Sequence, residues 1–375
     1  MLNVFDVAKT LVHQIEKVYS EDIALVAYYG SYAQGTATKR SDLDFFFIPA
    51  TPEGYGASIQ FIIDDISFDF WPISWERAAS MASFEEFKTS IIADCKLLYV
   101  RSEEDRERFM KLREPISSMQ SPENRRNRVG KAEAEFCNVY THLYKLCRAG
   151  ASENIAYYRT EAYGLLTRGL QSLALLNGTY YKSGFGKNRE QVLSLPLQPP
   201  RLEPLMETIM RSSVTSEIVE ACEELVAGIF AILSAEQEMG YDAPSYPDRM
   251  KGCYEEVKGV LDKIITACER NEYDTAFFSA IQAQEEIASF LFLAETGIWP
   301  SDLMLHSAYE NVYRRLGFPE LAGLLNPDDL SPLQTAVERL NADLEGLFRS
   351  KGVEINRFAD IEEFEAFLKG KYATA

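Results

Sequence analysis

The residues best suited to chemistry are three carboxylates set among apolar neighbours. Asp42 and Asp44 are two apart in Ser41-Asp42-Leu43-Asp44-Phe45-Phe46-Phe47. In a strand, residues two apart project from one face, so Leu43, Phe45 and Phe47 turn to the other and into a core. Asp69 stands in Ile66-Ser67-Phe68-Asp69-Phe70-Trp71, where Ile66, Phe68 and Phe70 share a face and Asp69 takes the opposite one. Carboxylates on one face repel each other, and a divalent cation removes that cost. Magnesium is typically held by one or two carboxylates plus substrate phosphates, and a metal pair clamps the attacking and leaving oxygens of a displacement at phosphorus. Upstream, the apolar run Ile23–Tyr29 reads as a buried strand ending at Gly30-Ser31. A glycine there lets a ligand approach the backbone. A serine that N-caps a short helix stands beside amides that attract phosphate. Residue types and spacing reach a metal-and-phosphate site.

The elements that must position these residues follow from periodicity. A helix is predicted over 7–18, strands over 23–29, 43–48, 59–63 and 66–71, and a turn at Asp64-Asp65. Helices over 75–82 and 84–93, a strand over 96–100 and a charged helix over 102–113 complete an α/β stretch. From residue 122 onward the pattern is helical, over 125–149, 151–177, 203–236, 251–271, 273–296 and 329–350. Proline and glycine punctuate 195–203 and 239–247, and the second stretch reads as a linker. The expected domains are 1–118, 119–243 and 244–375.

The 375 residues carry a formal net charge of −19. That balance and an ordinary apolar content exclude disordered, collagenous and disulfide-framework chains and make nucleic acid an unlikely partner. The charge is uneven: residues 1–118 net −7, residues 119–200 net +5 and residues 201–375 net −17. In the basic island, Arg125, Arg126 and Arg128 cluster at the start, and Lys182, Lys187 and Arg189 share the glycine-rich stretch Asn177–Arg189. Three cations among glycines suit a triphosphate or a pyrophosphate leaving group. Six cysteines without a C-x-x-C pair and only three histidines argue against zinc. A start without a signal-peptide pattern and the lack of a long apolar run lead to an expected cytoplasmic location with no membrane partner.

Gly30-Ser31, a spacer of ten residues, Asp42-Leu43-Asp44-Phe45 and the later Asp69 together resemble the nucleotidyltransferase superfamily that includes DNA polymerase β. The resemblance implies an α+β fold, a small mixed sheet flanked by helices and followed by helical bundles. It implies that Gly30 and Ser31, with Arg40 and Ser41, hold a nucleoside triphosphate, ATP or another. By the same likeness Asp42 and Asp44 bind Mg²⁺ (or Mn²⁺), and Asp69 completes the metal site or helps activate the acceptor hydroxyl. Residues 130–195 look like the helical domain of kanamycin nucleotidyltransferase and related antibiotic-modifying enzymes. In those enzymes a Glu serves as general base, which points here to Glu135, Glu133 or Glu161, while Lys182 and Lys187 meet phosphate.

The implied reaction moves a nucleoside monophosphate, AMP from ATP, to a hydroxyl of a small molecule such as an aminoglycoside-like antibiotic, releasing pyrophosphate. The acidic faces of 201–375 are either solvated or an attraction for such a cationic acceptor. Two other readings stand beside it: transfer to a protein or RNA acceptor, as in toxin–antitoxin systems, and a non-catalytic nucleotide-binding helical interaction protein. The intact set of three carboxylates argues against the last. A monomer or homodimer is expected.

Overall fold

The structure is a computed structural model that describes residues 3–39, 41–150, 153–238, 245–297, 299–300 and 306–373. It divides into two units, residues 1–236 and residues 237–375. Arg40 and residues 239–244 of the expected linker lie outside the described residues.

The first unit opens with α1 (Val4–Val18), capped by the Asn3 side chain, which accepts from the Phe5 amide. Then come β1 (Ile23–Tyr29), α2 (Gly30–Gln34), β2 (Asp44–Pro49), β3 (Ile59–Ile63), β4 (Ile66–Pro72), α3 (Trp75–Ala82), α4 (Thr89–Asp94) and β5 (Lys96–Val100). The strands form one mixed sheet in the order β3-β4-β2-β1-β5, in which β2 and β4 run parallel and the other pairs antiparallel. Asp64 and Asp65 close the β3–β4 hairpin with φ of 51° and 58°, the positive angles that a tight two-residue hairpin turn demands.

Both sheet faces are covered. Phe45, Phe47, Phe68 and Phe70 pack with Val4, Val7, Ala8 and Ile15 of α1. Phe46 and Ile48 pack with Ala78, Met81, Ile91 and Ile92 of α3 and α4, and with Phe109 of α5 (Glu103–Lys111). Double coverage is why Phe45–Ile48 is an unbroken apolar run and not an alternating one.

Helices α6 (Arg113–Ser118), α7 (Arg125–Phe136), α8 (Val139–Cys147), α9 (Ile155–Leu176), α10 (Arg189–Leu193), α11 (Leu202–Arg211) and α12 (Thr215–Glu238) follow. Ser172 Oγ in α9 donates to the Ala132 carbonyl in α7 at 2.8 Å. Two expected long helices are each broken. The run over 125–149 divides between Phe136 and Val139, and the run over 203–236 divides where Ser212 turns extended and its Oγ accepts from the Val214 amide. Serine offers the backbone this alternative partner, which apolar periodicity does not register.

The second unit holds α13 (Tyr246–Met250), α14 (Cys253–Glu269), α15 (Tyr273–Thr296), α16 (His306–Arg315), α17 (Ser331–Ser350) and α18 (Ile361–Ala373). Its core joins Leu261 and Ile264 of α14, Ile287 and Leu291 of α15, and Leu340 and Leu344 of α17. Many of its carboxylates are surface ion pairs one helical turn apart, such as Arg339–Asp343 and Arg349–Glu345. Among the described residues, no helix is long and apolar enough to cross a membrane.

Candidate active site

Strand register builds the site. Tyr29 pairs with Asp44 across β1 and β2, and Gln60 pairs with Asp69 across β3 and β4. In the parallel pair Phe45 faces Phe70, so Asp44 and Asp69 stand side by side one residue earlier. A row of Gln60, Asp69, Asp44 and Tyr29 therefore crosses four strands. Gln60 Nε2 donates to Asp69 Oδ1 at 2.8 Å, and Trp71 Nε1 donates to the Tyr29 hydroxyl at 3.2 Å. Asp42 differs from expectation, because β2 begins at Asp44 and Asp42 lies in the connection just ahead of it. Its charge still reaches the row. Burial first, then the charges of Asp42 and Asp69, push Asp44 up to about 6. Tyr29 is pushed up to about 12, chiefly by burial; the Trp71 hydrogen bond opposes this, and the three carboxylates add to it.

No described cation pairs with Asp42 or Asp44, and the described residues form no cluster of three ligating side chains able to enclose an ion unaided. Magnesium needs no such cage, since phosphates and water complete its shell. The donor set fits a divalent ion: hard oxygens, mutually repelling, with Asp44 Oδ2 filling the space above Gly30.

Beside this row opens a cleft of about 640 Å³, lined on the sheet side by Tyr29, Gly30, Ser31, Gln34 and Thr36. Phe87, Lys88, Ser90 and Ile91 line it from the α3–α4 region, Gln171 from α9, and Tyr181–Lys187 from the glycine-rich loop. Helix α2 starts at Gly30 (φ 73°), so Ser31 lies within its first turn and is not the cap. The flanking residue is Tyr29, and no side chain caps the turn. Its first amides are left without that partner. The loop is fastened to α2 through Gln34, which accepts from Ser183 Oγ at 2.7 Å and donates to the Lys182 carbonyl. Inside the loop, Asn188, only 3% exposed, accepts from the Ser183 amide at 3.1 Å.

The structure thus brings Gly30, Ser31, Lys182 and Lys187 to one cleft, with Asp44 against its Gly30 and Asp69 next to Asp44 one strand further along the sheet. The other sequence candidates separate. Ser41 Oγ accepts from the Thr38 amide at 2.8 Å and shapes the loop before β2, outside the cleft lining. Glu135 does not line the cleft; its carboxylate meets Arg168 at 3.0 Å, and that guanidinium lies 5.1 Å from the ring centre of the cleft residue Phe87. Burial raises the Glu135 pKa even with Arg168 beside it. Glu161 is held by His142 at 2.7 Å and Lys145 at 3.1 Å, which lower its pKa.

Within the basic island several cations are structural. Arg189 turns to Glu203 and Glu207 at 2.8 and 2.6 Å, Arg125 pairs with Glu236 at 3.1 Å, and Arg128 donates to the Met119 and Ser121 carbonyls. Tyr29, Gln34, Lys88 and Gln171 were missed by sequence reasoning. Only Tyr29 carried a local signal, as the residue beside Gly30.

A mixed sheet with carboxylates on neighbouring strands, a glycine turn beside them and a helical half completing the cleft defines a nucleotidyltransferase. Residues 11–94 match the nucleotidyltransferase domain family, and residues 106–239 match the KNTase C-terminal domain family. The chain belongs to the nucleotidyltransferase superfamily, with a C-terminal domain of the kanamycin nucleotidyltransferase type, and is an enzyme of nucleotidyl transfer. No curated protein matches the sequence. Among solved structures it is similar to a nucleotidyltransferase-like protein from Exiguobacterium sibiricum, with 12% identity, 61% of this chain and 75% of the other covered, and a TM-score of 0.36.

Proposed function

We propose that the protein transfers a nucleoside monophosphate, AMP from ATP, to a hydroxyl of a small molecule with release of pyrophosphate, and that it uses a divalent metal ion, Mg²⁺ or Mn²⁺. The observation that carries this reading is Asp44, raised by burial and then by its carboxylate neighbours, and set against Gly30 at the edge of a cation-bearing cleft. Asp42 and Asp44 would hold the ion, with Asp69 beside them. When bound, the ion neutralises phosphate charge. The backbone at Gly30 and Ser31 approaches the triphosphate, and Lys88, Lys182 and Lys187 stabilise the charge that develops on pyrophosphate. The acceptor oxygen forms a bond to the α-phosphorus as the α–β bridging bond breaks and its electron pair leaves with pyrophosphate. The hydroxyl proton would pass through water to Glu135, which pairs with Arg168 behind the cleft wall at Phe87 and whose pKa burial raises.

The net −17 of residues 201–375 favours a cationic acceptor of the aminoglycoside kind. The test is pyrophosphate release by purified protein with ATP and Mg²⁺ against aminoglycosides, lincosamides, nucleotides and candidate proteins. Modification of an aminoglycoside is the expected result. Labelling of a protein or RNA alone would replace the small-molecule acceptor with a macromolecular one.

A further inference from the structure

We propose that Gln171 hydrogen-bonds the edge of the nucleobase of the bound triphosphate. The proposal rests on the nucleotide reading above and assigns a cleft residue that the phosphate-binding groups do not include. Gln171 is only 5% exposed and lines the cleft; its side chain makes no hydrogen bond among the described residues, and its amide is not among the fully buried polar atoms, so the exposure it keeps is at the cleft. Its neighbour Ser172 is satisfied by the Ala132 carbonyl, so the unmet amide is particular to Gln171. An amide that meets only the cleft is free to pair with a ligand that offers a donor beside an acceptor. Phosphates only accept. The Watson–Crick edge of every nucleobase presents a donor and an acceptor side by side, which one amide matches with its carbonyl and NH₂.

The surroundings suit a flat ring. The Tyr181 hydroxyl donates to the carbonyl of Leu170, next to Gln171, at 2.7 Å, and the Tyr181 ring meets Phe185 with centroids 5.4 Å apart. Phe185 and Phe87 line the same cleft, and aromatic faces stack bases whatever their identity. Stacking then supplies affinity, and Gln171 supplies a hydrogen-bonding partner for the base that phosphate does not use.

The test is calorimetric binding to the full chain with Mg²⁺, using ATP, GTP, CTP, UTP and inorganic tripolyphosphate. Gln171→Met keeps the side-chain length and removes the amide. It is expected to weaken the best-bound nucleotide about tenfold and leave tripolyphosphate within about twofold. Gln171→Glu keeps the shape and, when ionised, only accepts. It is expected to shift preference several-fold toward the amino-bearing bases of ATP and CTP over GTP and UTP, and it carries the test alone if the methionine variant does not fold. Equal weakening of nucleotide and tripolyphosphate, or unchanged base preference in both variants, overturns the role of Gln171 while leaving the nucleotide site standing. Failure of the wild-type chain to bind any of the four nucleotides overturns the nucleotide reading itself.

Discussion

The carboxylate of Asp44 occupies the space in which a side chain on Gly30 would begin, and Gly30 holds a left-handed φ of 73°. The strand end proposed to face phosphate and the strand start proposed to face metal are therefore fitted together at the backbone of one residue. Gly30→Ala must both adopt an unfavourable φ and displace Asp44. It is expected to lose about 1–2 kcal/mol of stability and at least about 100-fold in kcat. Gly35 shares a φ of 73° but has open space around it, so Gly35→Ala is expected to lose stability alone. Pyrophosphate-release kinetics and thermal melts of the two variants separate steric fit from backbone strain.

Removing either carboxylate nearest the proposed ion should stop the chemistry without unfolding the chain. Asp42→Asn and Asp44→Asn are expected to reduce transfer by more than about 1,000-fold while circular dichroism stays unchanged. A correctly folded variant that releases pyrophosphate at the wild-type rate would remove these residues from the reaction.

The raised Asp44 pKa has a signed consequence for stability in metal-free protein. The folded chain binds this proton more tightly than the unfolded chain, at about 6 against an ordinary 3.8. Stability from this group is therefore highest below about pH 4, falls as pH rises through 6, and is lower by about 2 kcal/mol at pH 7. Melting curves in chelator should show that decline in the wild type and a flatter profile in Asp44→Asn. Added Mg²⁺ should recover the loss at pH 7 in the wild type only.

Gln34 fastens the glycine-rich loop to α2 by two hydrogen bonds, one to Ser183 and one to the Lys182 carbonyl. Gln34→Ala frees the loop that carries Lys182 and Lys187. It is expected to raise KM for the nucleotide about tenfold, with kcat reduced less, as read from initial rates at varied nucleotide concentration.

Glu135, raised by burial and held by Arg168, is expected to act on the acceptor proton. Glu135→Gln should lower kcat by about 100-fold and flatten the acidic limb of the rate–pH profile, with little change in nucleotide KM. A purely structural pair would instead lower the melting temperature and leave the shape of the profile intact.

Local pattern made the chemistry of the N-terminal region legible. Alternation placed Asp69 opposite Phe68 and Phe70, the apolar run set β2 in the core, and Asp64-Asp65 announced its turn; all three depend on neighbours within a few residues. Where a helix breaks was less legible. Ser212 extends the chain through its own hydroxyl, and Phe136 ends α7, inside stretches whose apolar spacing continues.

By itself, the sequence determined that carboxylates, a glycine turn and a cation-bearing loop exist, because residue type and short spacing are local properties. Only the tertiary structure decided which of them meet. Parallel pairing of β2 with β4 brings Asp44 and Asp69 side by side, and Gln34 reaches the Lys182 carbonyl of a loop 148 residues away. Arg189 and Arg128, equally basic in the sequence, are taken up by Glu203 and by backbone carbonyls, leaving Lys182 and Lys187 at the cleft. Gln171, one polar residue in an apolar helix, acquires meaning only because folding buries it at a cleft without a partner. The physical reason is the same in each case: a hydrogen bond or charge contact forms between groups that the folded chain brings together, and no local pattern records that meeting.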